Sequence, residues 1–424
     1  MTRKEDLATT FGEDTDALFE GTEDAPSTIS AKKTRSPRQT FLVGPTVYLR
    51  PIELTDAQLT MFWDSNPFPV PADLSEERLK ESILASNAAG SRRLVACRRS
   101  DNQPVGSVEL FSEDGRTTRL SFHVPVVFGP NLCSEINAEM IKLLIPMLVH
   151  EHDQMAVWAD IPADDKVQTK AARTAGMKIA YTLREALHGT NGTRRDLNCW
   201  QILHPTWLAK LAKPEEAVFG NVRREVRSPA PLEYKRRQTN PPANAVVVGS
   251  RIFLRPLEQG DAEEIARWSM RETETAFDTG RAFRSPIAYW ASNRKNYESS
   301  LPLWIRFAIC RISDGKAIGA NGLVFVDWIN RVAETETEIV QPEYRGGGYG
   351  TEAKHLLLEY GFETLNLHMV RSQAWAFNTP SCAALRKQGY RDAGRLSWTG
   401  IKNGEFADDL VFDLLAEEWR AARR

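Results

Sequence analysis

The pattern of apolar and polar positions is clearest in the second half of the chain. Alternation with period two, which is typical of strands, predicts strands at 304–310, 317–326 and 334–340. The pattern then changes to helix, strand, helix and strand, at 351–364, 369–376, 379–388 and 410–414. Antiparallel segments followed by helix–strand units indicate a mixed α/β sheet with flanking helices.

Sequence landmarks occur twice along the chain in the same order. Thr46-Val-Tyr-Leu-Arg-Pro-Ile-Glu is matched by Arg251-Ile-Phe-Leu-Arg-Pro-Leu-Glu, and Asp56-Ala and Asp261-Ala follow, each opening a predicted helix that includes Trp63 or Trp268. Further on, Trp158-Ala matches Trp375-Ala, and Ala175-Gly-Met matches Gln388-Gly-Tyr. Ordered repeats of this kind predict two copies of one domain.

The spacing of these landmarks predicts four segments. Residues 1–42 are polar and poor in aliphatic side chains, as in a disordered tail. Residues 43–212 form the first copy and residues 246–424 the second. Between them, residues 213–245 are basic and carry Pro241-Pro242, which is typical of a linker.

Composition narrows the class of protein. Among 424 residues, 54 Lys and Arg stand against 56 Asp and Glu, a formal net charge of −2, so no nucleic-acid partner is expected. The five cysteines are far apart and form no CxxC pair, which argues against a disulfide framework and a zinc site. The N-terminus lacks the apolar region of a signal peptide, and the apolar run at 143–149 is too short to span a membrane. We therefore expect a cytoplasmic protein without a metal or membrane partner.

A glycine-rich turn is the most informative motif. Arg345-Gly-Gly-Gly-Tyr-Gly350 follows a predicted strand and leads directly into an amphipathic helix. Glycines let backbone N–H groups approach a ligand closely, and a helix N-terminus adds unpaired donors and a positive dipole end. The turn therefore predicts a pyrophosphate cradle. Its spacing fits neither the Walker A motif nor the dinucleotide fingerprint.

The stretch 249–419 resembles the GNAT superfamily of acyl-CoA-dependent N-acetyltransferases, specifically its RimJ/RimL-like branch. The resemblance rests on motifs in family order, which are Phe253-Leu-Arg-Pro-Leu, Arg345-x-x-Gly-x-Gly-Thr-Glu-Ala353, Asn378-Thr-Pro-Ser381, Leu385-Arg-Lys-Gln-Gly-Tyr390, Asp408 and Leu414-Leu-Ala-Glu-Glu-Trp419. It implies a tandem of two GNAT folds, each a mixed, mostly antiparallel sheet flanked by helices.

The resemblance also implies a donor site for acetyl-CoA as co-substrate. The pyrophosphate would be held by backbone amides of the turn, at Gly346, Gly347, Gly348, Tyr349, Gly350 and Thr351. Arg345 would add charge near the phosphates, or would be an exposed guanidinium that serves only solubility. Backbone groups of Ile339, Val340 and Gln341 would pair with the pantetheine arm where two parallel strands splay apart.

Catalytic candidates follow the last parallel strand. Asn378 suits an anchor for pantetheine or for an ordered water, although it is equally suited to cap the next helix. Ser381 would donate a proton or hydrogen bond to the departing thiolate. Many branches of the superfamily use a tyrosine seven residues after this Asn, but Leu385 stands there, which leaves Ser381 as the available hydroxyl.

Three acids alternate along the strand before the turn. By the period-two rule Glu334, Glu336 and Glu338 share one face, where a carboxylate would act as a base and favour a cationic acceptor. A solvent-exposed strand face is the alternative. Asp408 would bind the acceptor or close a turn. An aromatic set would cover the acceptor cleft or pack in the core, at Phe277, Phe283, Tyr289 and Trp290.

The first copy lacks this machinery. With Glu135 aligned to Glu352, the segment Phe128-Gly-Pro-Asn-Leu-Cys133 takes the place of the glycine turn and keeps one of its glycines. The same alignment places Ile161 at Asn378 and Asp164 at Ser381. We therefore expect a degenerate copy that stabilises the active half, mimics the second subunit of a dimer or adds acceptor specificity.

Together these observations predict an acetyl-CoA-dependent N-acetyltransferase that acts by direct attack in a ternary complex. The acceptor would be a primary amine, either a protein or peptide N-terminus or an amine of a small molecule such as an antibiotic. An aminoacyl-tRNA-dependent transferase and a non-catalytic acyl-CoA-binding regulatory or scaffold protein are the alternatives. We expect a monomer that forms a pseudo-dimer, or a homodimer.

Overall fold

The computed structural model describes residues 40–58, 80–81, 83–84, 92–112, 116–124, 128–189, 192–210, 242, 244–273, 285–298 and 301–422. They all belong to one structural unit, Gln39–Arg424. The predicted tail lies almost entirely outside the described residues, and so does most of the predicted linker. Trp63, Phe277 and Phe283 also lie outside them. No helix in the described part of the chain is long and apolar enough to cross a membrane.

The described elements of the first half are eight strands and three α-helices. The strands are β1 (Leu42–Val43), β2 (Val47–Pro51), β3 (Arg92–Arg98), β4 (Pro104–Ser112), β5 (Thr117–His123), β6 (Ala156–Pro162), β7 (Lys178–His188) and β8 (Arg194–Leu203). The helices are α1 (Pro130–Pro146), α2 (Lys166–Thr174) and α3 (Pro205–Lys210), with a 3-10 turn at Leu54–Gln58 and a π-helical turn at Met147–Glu151.

The described elements of the second half follow the same plan. The strands are β9 (Val247–Val248), β10 (Ile252–Pro256), β11 (Ile305–Arg311), β12 (Ala317–Asp327), β13 (Val332–Ile339), β14 (Met369–Trp375), β15 (Arg391–Lys402) and β16 (Glu405–Leu415). The helices are α4 (Gln259–Ser269), α5 (Pro286–Tyr297), α6 (Tyr349–Glu359), α7 (Thr379–Lys387) and α8 (Ala416–Ala421), with a 3-10 turn at Pro342–Tyr344 and a π-helical turn at Tyr360–Thr364.

The sixteen strands form one sheet whose order repeats from its two edges inward. From one edge it runs β1-β2-β3-β4-β5-β6-β8-β7, and from the other β9-β10-β11-β12-β13-β14-β16-β15. Within the described strands only the pairs β5–β6 and β13–β14 are parallel, so the sheet is mixed and mostly antiparallel. The predicted fold class is confirmed in this respect.

Each half buries its own hydrophobic core against its long helix. Leu356, Leu357 and Leu358 of α6 pack on the second half, and Met140 and Leu144 of α1 pack on the first. These four leucines and Met140 are fully buried, and burial of this kind stabilises by about 1.5–3 kcal/mol per large apolar side chain. The two helices thus occupy matching places in the two halves.

A third core cluster joins the halves. It brings Trp158 and Tyr181 from the first half together with Leu396, Trp398 and other side chains from the second. The strands β7 and β15 meet antiparallel where Tyr181 pairs with Gly394. A side chain at Gly394 would place its Cβ 2.7 Å from the Cα of Tyr181, so this approach requires glycine.

Polar contacts across this junction are reciprocal. The Arg184 N–H donates to Asp413, and the Ser397 N–H donates to Gln201. Arg184 and Ser397 occupy matching positions of β7 and β15, just as Gln201 and Asp413 do in β8 and β16. Reciprocal contacts between matching positions are what a two-fold dimer interface produces.

The predicted elements of the second half are confirmed within a few residues, with one omission and one shift. The strand β15 was not predicted, and β16 begins five residues before the predicted strand. The alignment of Trp158 with Trp375 was wrong. Ala156 and Met369 are matching residues, because each is the first residue of its strand and lies opposite the last residue of the neighbouring strand, Leu203 or Leu415. Trp158 therefore matches Arg371.

Candidate active site

The glycine turn, residues 345–350, joins the end of β13 to the start of α6. Gly346 and Gly348 have φ of 76° and 83°, and Gly348 is the N-cap residue of α6. In the described structure the N–H groups of residues 346–351 donate to no carbonyl or side chain outside the turn and its helix. They are therefore available to an anion at the helix N-terminus.

Arg251 lies against this turn and was missed by the sequence analysis. Its guanidinium donates to the Gly347 carbonyl at 2.7 Å and to Glu352 at 2.9 Å, and it lies 4.7 Å from the centre of the Tyr349 ring. Glu352 also accepts from the Ser250 and Arg251 N–H groups. Burial raises the pKa of Glu352, but these hydrogen bonds outweigh burial and the pKa is lowered overall. The carboxylate thus orients a cation beside the turn.

Arg345 is paired with an acid and with two backbone carbonyls. Its Nη2 is 2.6 Å from Glu272 Oε2 and 3.1 Å from the Val340 carbonyl, and its Nε donates to the Ile339 carbonyl at 2.9 Å. The side chain is 18% exposed, so the alternative of an exposed, solubilising guanidinium was wrong. Arg345 ties the start of the turn to the end of β13, and Glu272 offsets its charge.

The parallel ladder beside the turn is short. It runs from the pair Val332 and Met369 to the pair Glu334 and Arg371. Residues 335–339 therefore continue along β12 without a ladder to β14, which is the splay that the sequence analysis anticipated. The side chain of Gln341 is 1% exposed, and its Nε2 is 3.5 Å from Glu264.

Asn378 begins α7 and acts as its cap. Its Oδ1 accepts from the Ser381 N–H at 3.2 Å, so the capping alternative is confirmed. Asn378 is 8% exposed, and Ser381 lies half-buried in the first turn. The Ser381 hydroxyl makes no hydrogen bond to another residue that the structure describes. Leu385 is buried one turn further along.

Two of the three strand acids are paired with arginines. Glu334 is 3.0 Å from Arg371, and Glu336 contacts Arg306 through both oxygens, at 2.5 and 3.2 Å. Glu338 follows on the same strand and is half-buried. The acids therefore do not form a free negative patch, because two arginine charges balance them. Arg306 and Arg371 had no signal in the sequence beyond their strand positions.

An aromatic pair lies at the end of β14. The rings of Trp375 and Phe377 are stacked, with centroids 5.9 Å apart and planes 10° from parallel, and Phe377 is 44% exposed. The ammonium of Lys402 lies 5.4 Å from the Trp375 ring centre. Of the predicted aromatic set, Tyr289 is buried in a core cluster and Trp290 packs against that cluster.

Asp408 closes a bulge. Its Oδ1 accepts from the Trp398 N–H at 2.8 Å, and its Oδ2 from Arg395 Nε at 2.7 Å. Trp398 has a φ of 58°, a conformation that needs such support. The matching Asp196 accepts from the Glu185 N–H in the first half, so this acid has the same structural role in both halves.

The first half has helix where the second has the glycine turn. The residue that contacts the opening strand there is Glu139, through the Thr46 and Val47 N–H groups, just as Glu352 contacts Ser250 and Arg251. The alignment of Glu135 with Glu352 was therefore wrong by one helical turn. Glu139 lies nine residues after the first residue of α1 and Glu352 three after that of α6, so α1 extends six residues further.

The placements that depended on that alignment are also corrected. Asp165 caps α2 as Asn378 caps α7, so Ile161 and Asp164 do not stand for Asn378 and Ser381. Asp164 instead forms an ion pair with Arg195. In neither half do the described residues bring three or more His, Cys, Asp or Glu side chains together as metal ligands.

Comparisons with known proteins agree with the C-terminal site. A family model described as an acetyltransferase (GNAT) domain matches residues 251–391. An uncharacterized N-acetyltransferase, YnaD of Bacillus subtilis (strain 168), is 35% identical over 175 residues, which are 41% of this chain and 98% of YnaD. Spermidine N(1)-acetyltransferase of Escherichia coli (strain K12) is 29% identical over 111 residues, which are 26% of this chain and 59% of that protein.

A solved structure, spermidine N-acetyltransferase from Vibrio cholerae in complex with CoA and spermine, is 23% identical to this chain. The match covers 41% of this chain and 99% of that one, with a TM-score of 0.37. The nearly full-length match to YnaD and the family match over the glycine turn establish the family. The chain belongs to the GNAT acetyltransferase family.

Proposed function

We propose that the C-terminal half transfers an acetyl group from acetyl-CoA to a primary amine, by direct attack within a ternary complex. The observation that carries this proposal is the glycine turn, because Gly346 and Gly348 have positive φ and the N–H groups of residues 346–351 are available to an anion. The bound co-substrate supplies an acetyl group activated as a thioester. The residues of the chain supply binding, orientation and proton handling.

The donor would be held at its phosphates by the turn. The N–H groups of residues 346–351 donate to the pyrophosphate, and Arg251 adds a positive charge next to them. The splayed edge of Ile339, Val340 and Gln341 lies beside the turn and leads toward the catalytic residues. Arg345 fixes this edge, since it donates to the Ile339 and Val340 carbonyls.

Proton handling would involve both sides of the splay. Glu336 or Glu338 accepts the proton that the attacking amine releases, directly or through water. Ser381 donates a hydrogen bond to the departing sulfur, and Asn378 keeps Ser381 in place by capping α7. Both carboxylates are candidates for this base, and Glu336 is also held in an ion pair with Arg306.

The acceptor would be an amine on an aromatic or apolar group rather than a polyamine. Arg306 and Arg371 offset the charges of two acids on the strand face, and Lys402 adds a positive charge beside the Trp375 ring. A polycation would gain little from such a face. The stacked pair of Trp375 and Phe377, with Phe377 partly exposed, offers an apolar platform instead.

The first half would be a second, degenerate copy of the same domain, and the chain would be a pseudo-dimer. The repeated strand order and the reciprocal contacts at the junction support this interpretation. Because α1 extends through the position of the glycine turn, this copy would bind no acetyl-CoA. Its place at the junction favours a role in supporting the active half.

The test is a CoA-release assay with tryptamine and spermidine as acceptors. We expect turnover with higher kcat/KM for tryptamine, and a loss of kcat of at least about 100-fold in Ser381→Ala and in one of Glu336→Gln and Glu338→Gln. Gln168→Ala, the matching helix position in the first half, serves as the control and should leave turnover unchanged. Acetyl-CoA binding without turnover on any amine would favour the regulatory or scaffold alternative.

A further inference from the structure

Four polar side chains form a buried network between α6 and the sheet. Lys354 Nζ donates to the carbonyl oxygen and the Oγ1 of Thr335, at 3.1 and 3.0 Å. Ser372 Oγ donates to the same carbonyl at 3.0 Å, and Tyr390 Oη is 2.7 Å from Thr335 Oγ1. These four residues, the polar quartet, are between 3% and 6% exposed.

The polar quartet lies where β13 and β14 separate. Their ladder ends at Glu334 and Arg371, and Thr335 and Ser372 are the next residues. The Thr335 carbonyl accepts from Lys354 and Ser372, and Thr335 Oγ1 donates to the Arg371 carbonyl at 3.3 Å. A buried carbonyl without a strand partner needs another donor. Side chains therefore satisfy the two carbonyls at the point where the ladder ends.

The first half shows what the fold needs at these positions. Glu139 matches Glu352 and Asp165 matches Asn378, so these helices are related by an offset of 213 residues. On the preceding strands, Thr117 matches Val332, because each is the first residue of its parallel ladder. The residues that match the polar quartet are all apolar and buried, namely Leu120, Ile141, Ala159 and Met177. There the ladder continues to Leu120 and Ala159, one pair further than in the second half. The fold therefore packs without polar residues here.

Lys354 is also costly to bury. Burial lowers its pKa to about 7, although the charges of Glu336 and Glu334 act in the opposite direction. A buried amine in place of an isoleucine reduces the stability of the fold, so we infer that a functional requirement retains it. This requirement coincides with the glycine turn, because the quartet and the turn occur in the same half and Lys354 lies on the helix that the turn begins.

We propose that Lys354 is a positioning residue for the acyl-CoA arm, since with Thr335, Ser372 and Tyr390 it ends the ladder between β13 and β14 and holds these strands apart. The open edges of residues 336–339 and 373–375 then receive the pantetheine arm. This inference rests on the proposed function for its ligand, but the separation of the strands is a property of the chain itself.

The first experiment compares Lys354→Met with Ile141→Met, the same helix position in the half without the glycine turn. In Lys354→Met we expect KM for acetyl-CoA to rise at least about tenfold, whereas kcat at saturation stays within about twofold. Ile141→Met should leave both values unchanged. A folded Lys354→Met with unchanged KM for acetyl-CoA, or with reduced kcat and unchanged KM, would overturn the proposal.

A second variant guards against misfolding. The fourfold exchange Thr335→Leu, Lys354→Ile, Ser372→Ala and Tyr390→Met installs the set that the first half already packs, so it should fold with unchanged or higher thermal stability. Hydrogen exchange without any ligand should then slow at residues 335–339 and 372–375, because the ladder extends. Unchanged exchange at these residues would contradict the proposal, whether or not the wild type binds acetyl-CoA. A wild type that fails to bind acetyl-CoA would refute the proposed function alone.

Discussion

Two glycines that each cap the long helix of their half allow a controlled test of the donor site. Gly348 caps α6 with φ of 83° and ψ of 2°, and Gly129 caps α1 with φ of 80° and ψ of 155°. Substitution by alanine forces a side chain into a backbone conformation that costs about 1–3 kcal/mol at either place. At Gly348 the added Cβ would lie 3.2 Å from Arg251 Nη2, whereas at Gly129 nothing described lies within 4 Å.

The two substitutions should therefore separate stability from binding. We expect both variants to lose stability, by about 1–3 kcal/mol in urea denaturation. Only Gly348→Ala should weaken acetyl-CoA binding, by at least about tenfold or 1.4 kcal/mol, because its methyl group and any relaxation of the turn displace the N–H donors. Isothermal calorimetry on folded protein measures this. Equal losses of affinity in the two variants, or none in Gly348→Ala, would refute the reasoning.

Three further predictions concern the junction between the halves. Asp413→Asn should destabilise the protein by about 3 kcal/mol in urea denaturation, because Arg184 then loses a buried partner; a change near zero would contradict this. Gly394→Val should lower the melting temperature and weaken protection of β7 amides, since its Cβ would meet Tyr181; wild-type values for both would contradict it. Burial raises the pKa of Glu418, but Arg184 and Arg391 lower it overall. The ion pairs of Glu418 should therefore stabilise the folded protein at pH values above the pKa of Glu418 in the unfolded chain, about 4.3. This stabilisation should be lost as the pH falls through the pKa of Glu418 in the folded protein, and urea denaturation of Glu418→Gln should show no such loss.

The strands and the glycine turn were predictable because their signals are local. The strand β13 alternates cleanly, and the turn combines four glycines with an apolar-periodic helix. In contrast, β15 was missed because bulges at Gly394 and before Gly400 interrupt its alternation. Local periodicity gives no warning of such an interruption, since the partner strand determines where a bulge is tolerated.

The register between the halves could not be read from residue identity. The residue that truly matches Trp158 lies four strand residues before Trp375, and the residue that truly matches Glu352 lies one helical turn after Glu135. The correct match depends on which carboxylate reaches the opening strand, and that is a long-range contact. For the same reason Arg251, Arg306 and Lys354 were not recognised, because their partners lie far away in sequence.

The central claim is that this chain has one working acetyl-CoA site, in its C-terminal half. The most direct measurement is a calorimetric titration of acetyl-CoA into the full chain and into Gly348→Asp, which adds a carboxylate at the turn. We predict one site per wild-type chain and no detectable binding in the variant. Two sites, or one site that survives the substitution, would contradict the claim.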